Sequence, residues 1–166
     1  MMNSGRIRGQ SSLTFERTYQ ARVEELWDLW TTKAGFESWW GSHGFKVHVE
    51  TIDPRIGGVL RYDMYTDDPA LIASMNQLGR EASTFTQAEF VELIPLRRLV
   101  IRHMIDFIPG VAPHPHSITV EFVQQGDRAK MRVTIDAHHD RLTTKLSAVG
   151  FAQQLEKLNI RFGLIN

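Results

Sequence analysis

The sequence predicts one α+β domain, with an antiparallel sheet of seven strands and a long helix at the C-terminus. Seven segments carry the β-branched and aromatic residues, or the period-two alternation, that are typical of strands. Most turns between them are short, and no connection holds a helix long enough for a parallel crossover. Residues 143–162 repeat apolar side chains at helical spacing. A chain of 166 residues can bury a core of this kind in a single domain.

The first predicted elements are a strand and two short helices. Residues 13–19 alternate in polarity, which predicts the first strand. Apolar residues then recur at helical spacing from Val23 to Trp30 and predict a helix with one buried face. A second short helix, from Lys33 to Trp40, is expected to end at Gly41, because glycine readily adopts the left-handed conformation that terminates helices.

Six further strands follow, and their connections predict hairpins. Residues 53–58 and 125–127 carry turn-forming residues, and residues 95–98 make a tight break. We therefore expect each strand to pair antiparallel with its neighbour in sequence. The predicted strands are residues 45–52, 59–66, 85–94, 99–107, 117–124 and 129–137.

Two connections are longer than a turn. In residues 66–84, Asp67 or Asp68 can cap a helix that begins at Pro69 and stops at Gly79. Residues 108–116 are rich in proline, and we expect them to extend neither neighbouring strand. The final helix must pack on another element through its apolar stripe, which consists of Ala148, Phe151, Leu155, Leu158 and Phe162.

Composition excludes several function classes. Lys and Arg number 19 against 19 Asp and Glu, so no net positive charge favours nucleic acid or an anionic membrane. The absence of cysteine excludes a thiol nucleophile and a thiolate metal site. No segment approaches the length of a membrane span. We expect a cytoplasmic protein with a flexible tail at residues 1–12 and one domain at residues 13–166.

Several short motifs, in a fixed order over residues 13–162, carry a resemblance to a known family. The motifs are Val23 with Trp27, Trp30 and Thr31; Trp39-Trp40-Gly41; Asp53-x-Arg55-x-Gly57-Gly58; Glu92-Leu93-Ile94-Pro95 with Arg98-Leu99-Val100; and Gly150-Phe151. In this order they resemble the START-like (SRPBCC) superfamily, specifically the branch related to the activator of the heat-shock-protein-90 ATPase.

The resemblance implies a helix-grip fold, in which a curved sheet wraps around the C-terminal helix and leaves an apolar cavity between them. A small hydrophobic or aromatic molecule would occupy this cavity, and a chaperone or other protein is the alternative partner. Two departures concern the cavity: Phe151 stands where the family usually has Trp, and residues 66–84 are long for their connection. We expect this segment to form a lid near Trp39 or Trp40 and the proline-rich loop.

Strand alternation, read with the resemblance, predicts which side chains face the cavity. In residues 85–94 the inward side is ambiguous, because Phe90 and Ile94 compete with Val91 and Leu93. No catalytic residue, cofactor or metal ion is expected. The predicted cavity residues are Trp40, Leu60, Tyr62, Met64, Phe90, Ile101, His103, Phe122, Met131, Val133, Phe151 and Leu155.

His103 is the main polar candidate, because it interrupts an apolar strand face. It is either a core histidine hydrogen-bonded to Tyr62 or to the backbone, or a polar anchor for a ligand. If Glu92 points inward, it is a candidate acid and base partner of His103. Among the tryptophans, Trp27 and Trp30 are expected in the core, and one of Trp39 and Trp40 at the pocket.

The other histidines form no recognised ligand spacing. His114 and His116 flank a proline, and His138-His139-Asp140 follows the last strand, where adjacent side chains point oppositely. We expect solvated loop histidines there.

Three functions follow as hypotheses. The first is noncovalent binding of an apolar ligand. The second is a protein-interaction module, either a monomer or a homodimer, with an exposed apolar patch on the helix from Pro69 to Leu78 or near Val111. The third is a cyclase-like or hydrolase-like enzyme that uses His103, Tyr62 and Glu92.

Overall fold

The computed structural model of the chain describes residues 12–106 and 108–165. The predicted order of strands and helices is confirmed, with a two-residue strand added at the end. The predicted tail lies outside the described residues, except for Ser12. The elements are β1 (Ser12–Tyr19), α1 (Val23–Thr31), α2 (Lys33–Glu37), β2 (Lys46–Ile52), β3 (Val59–Tyr65), α3 (Pro69–Gln77), β4 (Ser83–Ile94), β5 (Arg98–Ile105), β6 (His114–Gln125), β7 (Arg128–Asp136), α4 (Arg141–Phe162) and β8 (Leu164–Ile165).

The strands form one curved, open sheet in the order β2-β3-β4-β5-β6-β7-β1-β8. Every pair is antiparallel, and strand pairs from β2 to β7 are neighbours in sequence. The chain from β7 passes through α4 to β8, which pairs with the end of β1. The predicted α+β helix-grip fold is thus confirmed; the sheet contains the seven predicted strands, and the short β8 adds an eighth.

The prediction that residues 108–116 extend neither strand is wrong at their C-terminal end. β6 begins at His114, and Pro115 lies opposite Met104 of β5. On its other side, the pairing of β6 with β7 starts only at Ile118. Pro115 therefore stands where one side of β6 has no partner strand, and a residue without an N–H is tolerated at such an edge.

A β-bulge settles the orientation of β4. The register against β5 shifts between Phe90 and Glu92. Ala88 and Phe90 are buried on the inner face, whereas beyond the bulge Leu93 packs against the core. A bulge reverses which side chains of a strand face inward. Phe90 therefore faces inward before the bulge, and Leu93 faces inward after it.

Three tryptophans pack together where α1 and α2 meet the sheet. Trp30 and Trp39 are fully buried, and their ring centroids lie 5.1 Å apart. The Trp30 Nε1–H donates to the Met131 sulfur at 3.4 Å, and the Trp39 Nε1–H donates to the Leu29 carbonyl at 3.0 Å. Trp27 is only half-buried and meets Phe122 edge-on at 5.5 Å. α2 ends at Glu37, three residues before the predicted end.

The long helix α4 is stabilised at its start by Asp140, whose carboxylate accepts a hydrogen bond from the Thr143 N–H at 2.7 Å. Its second half packs on the sheet through Phe151, Leu155 and Leu158, as predicted. Its first half is less covered, since all residues from 141 to 150 are half-buried or exposed. Within the described ranges, no helix combines the length and the apolar character needed to cross a bilayer.

Candidate functional site

The first half of α4 stands over an open cleft in the concave face of the sheet. The cleft has a volume of about 310 Å³ and is lined by β3, β5, β6 and β7, by the loop after α2 and by α4. Its apolar walls include Trp40, Met64, Ile105 and Phe151. The opening exists because α4 presents small or polar residues to it at helical spacing, namely Ser147, Gly150 and Gln154.

Five of the twelve predicted cavity residues line this cleft, and seven do not. The seven residues that do not line the cleft are buried in the core, beyond its inner end. There the α1 side of the sheet is filled, since Trp30 reaches Met131 and Trp27 covers Phe122. The lining residues are Trp40, Tyr62, Met64, His103 and Phe151; the core residues are Leu60, Phe90, Ile101, Phe122, Met131, Val133 and Leu155.

His103 is hydrogen-bonded to Tyr62, as one of the two alternatives predicts. The Tyr62 hydroxyl lies 3.3 Å from Nε2 of His103, and both side chains are buried. Burial raises the pKa of Tyr62 to about 12, although hydrogen bonds from Trp40 and Thr86 oppose it. A phenol can both donate and accept, so the Tyr62 hydroxyl links His103 to Trp40 and Thr86.

Two buried side chains on the cleft wall have an unused polar atom. His103 is 8% exposed, and its Nδ1 makes no hydrogen bond. Gln154 is 5% exposed, and its Oε1 accepts from the Gly41 N–H at 2.9 Å. That bond fixes the amide orientation, so Nε2 is the atom left without a partner. Both atoms are shielded from solvent, so neither is open to the cleft in this structure.

Two further histidines, expected to be solvated, belong to the cleft. His116 is buried and lies opposite His103 in the β5–β6 register, and its Nε2 donates to the Asp136 carbonyl at 2.8 Å. His138 stacks on it with ring centroids 4.1 Å apart. The expectation was wrong for His116, because β6 starts earlier than predicted. The sequence does contain a signal for its burial, because His116 is spaced by two residues from Ile118 and by four from Val120, both on the inner face.

The proposed acid and base couple of Glu92 with His103 does not form. After the bulge, Glu92 lies on the side of Arg98, with which it makes an ion pair, and Arg98 also contacts Glu121 at 3.0 Å. The carboxylate is thus engaged at the sheet surface. Among the described residues, no group of three or more His, Asp or Glu side chains is arranged to hold a metal ion.

Helix α3 forms where the sequence predicts it, with Asp68 accepting a hydrogen bond from the Ala70 N–H at 2.9 Å. It lies against the loop after α2, where the Leu71 side chain packs so close to Gly44 that a side chain at position 44 would collide with it. None of its residues lines the cleft, and Leu78 is 73% exposed. Its action as a lid stays a prediction.

Stability is expected to fall with pH below neutrality because of His103. Burial, followed by the neighbouring His116 ring, lowers the pKa of His103 from 6.5 to about 4, with the His116 backbone opposing the shift. Between these values the unfolded chain binds more protons than the folded one, so stability present above pH 6.5 is lost as the pH falls towards 4. The part of this loss that His103 carries between pH 7 and pH 5 is about 2 kcal/mol.

The measurement is urea unfolding at both pH values, with His103→Gln as the variant that cannot titrate. The difference between the two pH values should shrink by about 2 kcal/mol in the variant. An unchanged difference would show that His103 does not carry the effect.

Comparisons with known proteins agree with this architecture. A family model described as activator of Hsp90 ATPase homolog 1-like protein matches residues 20–163. Comparison with curated proteins gives no match. A protein from Chromobacterium violaceum is similar in structure, with a TM-score of 0.72 and 16% identity over 91% of this chain and 96% of that one. The AHSA1 protein from Silicibacter pomeroyi has a TM-score of 0.70 and 14% identity over 90% and 96%.

Such low identities show a shared fold and leave function open. The family model, by contrast, matches most of the sequence, from the residue that follows β1 to the residue that follows α4. It confirms the resemblance predicted from the motifs. The chain belongs to the family of activator of Hsp90 ATPase homolog 1-like proteins.

Proposed function

We propose that the protein binds a small apolar or aromatic molecule, noncovalently, in the cleft between the sheet and α4. The observation that carries the proposal is the cleft itself, whose walls include two aromatic rings, Trp40 and Phe151, with centroids 6.2 Å apart. Pockets for small molecules are concave and mainly apolar, with a few polar groups that orient the ligand. A volume of about 310 Å³ is at the small end of that class.

The walls favour binding over chemistry. None of the described residues that line the cleft is Asp, Glu, Lys or Arg. Of the residues assigned to an enzymatic mechanism by the sequence, only Tyr62 and His103 meet there, and they bond to each other. A general acid and base mechanism needs groups placed to exchange protons with a substrate, and the carboxylate expected for that role is held by Arg98.

The proposal is tested by isothermal titration with naphthalene, an apolar aromatic probe. We expect saturable binding to one site, together with a change in tryptophan fluorescence because Trp40 lies at the wall. Heat changes that do not saturate, at probe concentrations near its solubility limit, would contradict the proposal.

A second candidate function is a chaperone-associated module of the ATPase-activator type. One observation favours it: the outer face of α4 exposes apolar side chains at helical spacing, in a place other than the two patches that the sequence predicts. Exposed apolar surface on a helix can form a protein contact. The residues, with their exposed fractions, are Leu142 (66%), Leu146 (60%), Val149 (51%) and Ile160 (87%).

This candidate is tested by the ATP hydrolysis rate of a heat-shock-protein-90 chaperone. If it is correct, the wild-type chain stimulates hydrolysis and the variant Leu146→Glu/Val149→Glu does not. Both side chains are exposed, so the variant should fold normally. Light scattering of the same two proteins distinguishes a monomer from a homodimer that buries this stripe. A wild-type chain that leaves hydrolysis unchanged would remove the candidate.

A further inference from the structure

We propose that two copies of this chain pair antiparallel through the outer faces of their α4 helices and form a homodimer. The inference is independent of the ligand proposed for the cleft, and it assigns one occupant, a second copy, to the apolar residues that α4 turns away from the sheet. Its basis is the spacing of these residues and the charges that flank them.

The outer face of α4 carries a regular row of six residues, which we call the outer stripe. Its members follow one another at intervals of four, three, four, three and four residues, the spacing at which two α-helices pack along their length. The four apolar members are each more than half exposed. The outer stripe consists of Leu142, Leu146, Val149, Gln153, Glu156 and Ile160.

The packing of a single chain does not account for the outer stripe. α4 packs on the sheet through Phe151, Leu155 and Leu158. At 3.6 residues per turn, the outer stripe lies on the opposite side of the helix from these residues. A helix that is apolar on all sides is typically buried on all sides. The described part of the chain nevertheless leaves the apolar members of the outer stripe largely in solvent.

An antiparallel pair related by a two-fold axis matches the stripe to itself. One register covers every apolar member with a residue of the same stripe, and each contact then occurs twice, as in any two-fold interface. A parallel pair in register would instead place the two Glu156 carboxylates against each other, which like-charge repulsion disfavours. The antiparallel contacts, with one residue from each copy, are Leu142 with Ile160, Leu146 with Glu156, and Val149 with Gln153.

The charges beside the stripe favour the same register. Lys145 is exposed and lies on the same flank of the helix as Glu156. In the antiparallel pair, the Lys145 ammonium of one copy lies beside the Glu156 carboxylate of the other. Within one copy the two residues are about 16 Å apart along the helix axis, so they cannot pair with each other there. The complementarity of these charges is therefore a property of two copies.

The loop after α2 leaves room for this contact. The His43 N–H donates to the Gln153 side chain at 3.2 Å, and the His43 ring lies 3.3 Å from the Glu156 carboxylate. The His43 and Glu156 side chains are both 59% exposed. Because an exposed pair of this kind contributes little to stability, the ring can turn aside and Lys145 of the second copy can replace it.

The first test is the sedimentation velocity of the wild-type chain at increasing concentration. The paired helices meet over about 27 Å, which is a short interface, so we expect a monomer that converts to a dimer in the micromolar range. Lys145→Glu should raise the dissociation constant of the dimer at least about tenfold, because it brings carboxylates together twice. A wild-type chain that stays monomeric up to about 1 mM would overturn the inference.

A charge swap separates a direct contact from a general effect of charge. Lys145→Glu/Glu156→Lys should restore the dissociation constant of the wild type, since the opposite charges meet again. Arg80→Glu, the same change in net charge at an exposed residue after α3, is the matched control and should dimerise like the wild type. A dimer that Lys145→Glu leaves unchanged, or a swap without rescue, would overturn the inference.

Disulfide cross-linking tests the register, and the chain has no cysteine that could compete. The oxidised variant Leu142→Cys/Ile160→Cys should form a covalent dimer, because these positions face each other across the pair. Leu146→Cys/Val149→Cys should stay unlinked, since its two positions lie about 10 Å apart along the axis in this register. Cross-linking of the second variant alone would contradict the proposed pair. A wild-type chain that stimulates the chaperone and is monomeric at every concentration would assign the outer stripe to the chaperone instead.

Discussion

The variant Trp30→Ala is expected to lower the free energy of unfolding by about 3–5 kcal/mol, the range found when a large core aromatic is truncated. Trp30 is fully buried, and its ring meets Trp39 at 5.1 Å and Trp40 at 5.4 Å. Its removal leaves a cavity at the contact between α1 and the sheet and frees the Met131 sulfur from its hydrogen bond. Urea unfolding followed by circular dichroism measures the loss.

The matched control for this change is Trp27→Ala. Trp27 lies on the same helix but is only half-buried, with one edge contact to Phe122. Its truncation should cost roughly 1–2 kcal/mol, within the usual range for a partly buried residue. An equal loss in the two variants would contradict the assignment of Trp30 to the centre of the aromatic cluster.

The variant Gly150→Leu is expected to close the cleft and to weaken naphthalene binding at least tenfold, a change of about 1.4 kcal/mol or more. Gly150 lines the cleft from α4, and a Cβ added there would meet only the Ser42 Cβ, at 3.9 Å. A leucine side chain therefore fits into space that the ligand would use. Stability should stay equal or rise by up to about 1 kcal/mol, because leucine is the better helix former.

Gly150→Ala separates helix propensity from cleft volume. Its single added carbon makes an ordinary contact, so stability should rise by about 0.5–1 kcal/mol while binding stays near the wild-type value. Titration calorimetry and urea unfolding of both variants give the comparison. Wild-type affinity in Gly150→Leu would mean that naphthalene binds elsewhere.

Much of the fold is predictable because its signals are local. The inward set of β7, which comprises Met131, Val133 and Ile135, follows from alternation alone, and all three are buried. The stripe of Phe151, Leu155 and Leu158 on α4 follows from helical spacing. Short hairpin turns then leave an antiparallel sheet as the simplest arrangement.

The candidate site is less predictable, because it depends on how elements meet. Alternation correctly predicts that Met131 and Phe122 face inward. It does not show that the tryptophans of α1 cover both side chains, so that the cleft ends before it reaches them. The bulge that turns Glu92 away from His103 leaves no clear mark in a strand that is apolar on both sides. Gln154 is polar on a buried helix face, and its role emerges only from its contact with Gly41.

The most direct test of the cleft as a ligand site is a crystal structure of the protein grown with naphthalene. We expect electron density for the ring in the cleft, against Trp40 and Phe151 and under the first half of α4. Naphthalene bound instead to the outer face of α4, beside Leu146 and Val149, with the cleft empty, would contradict it.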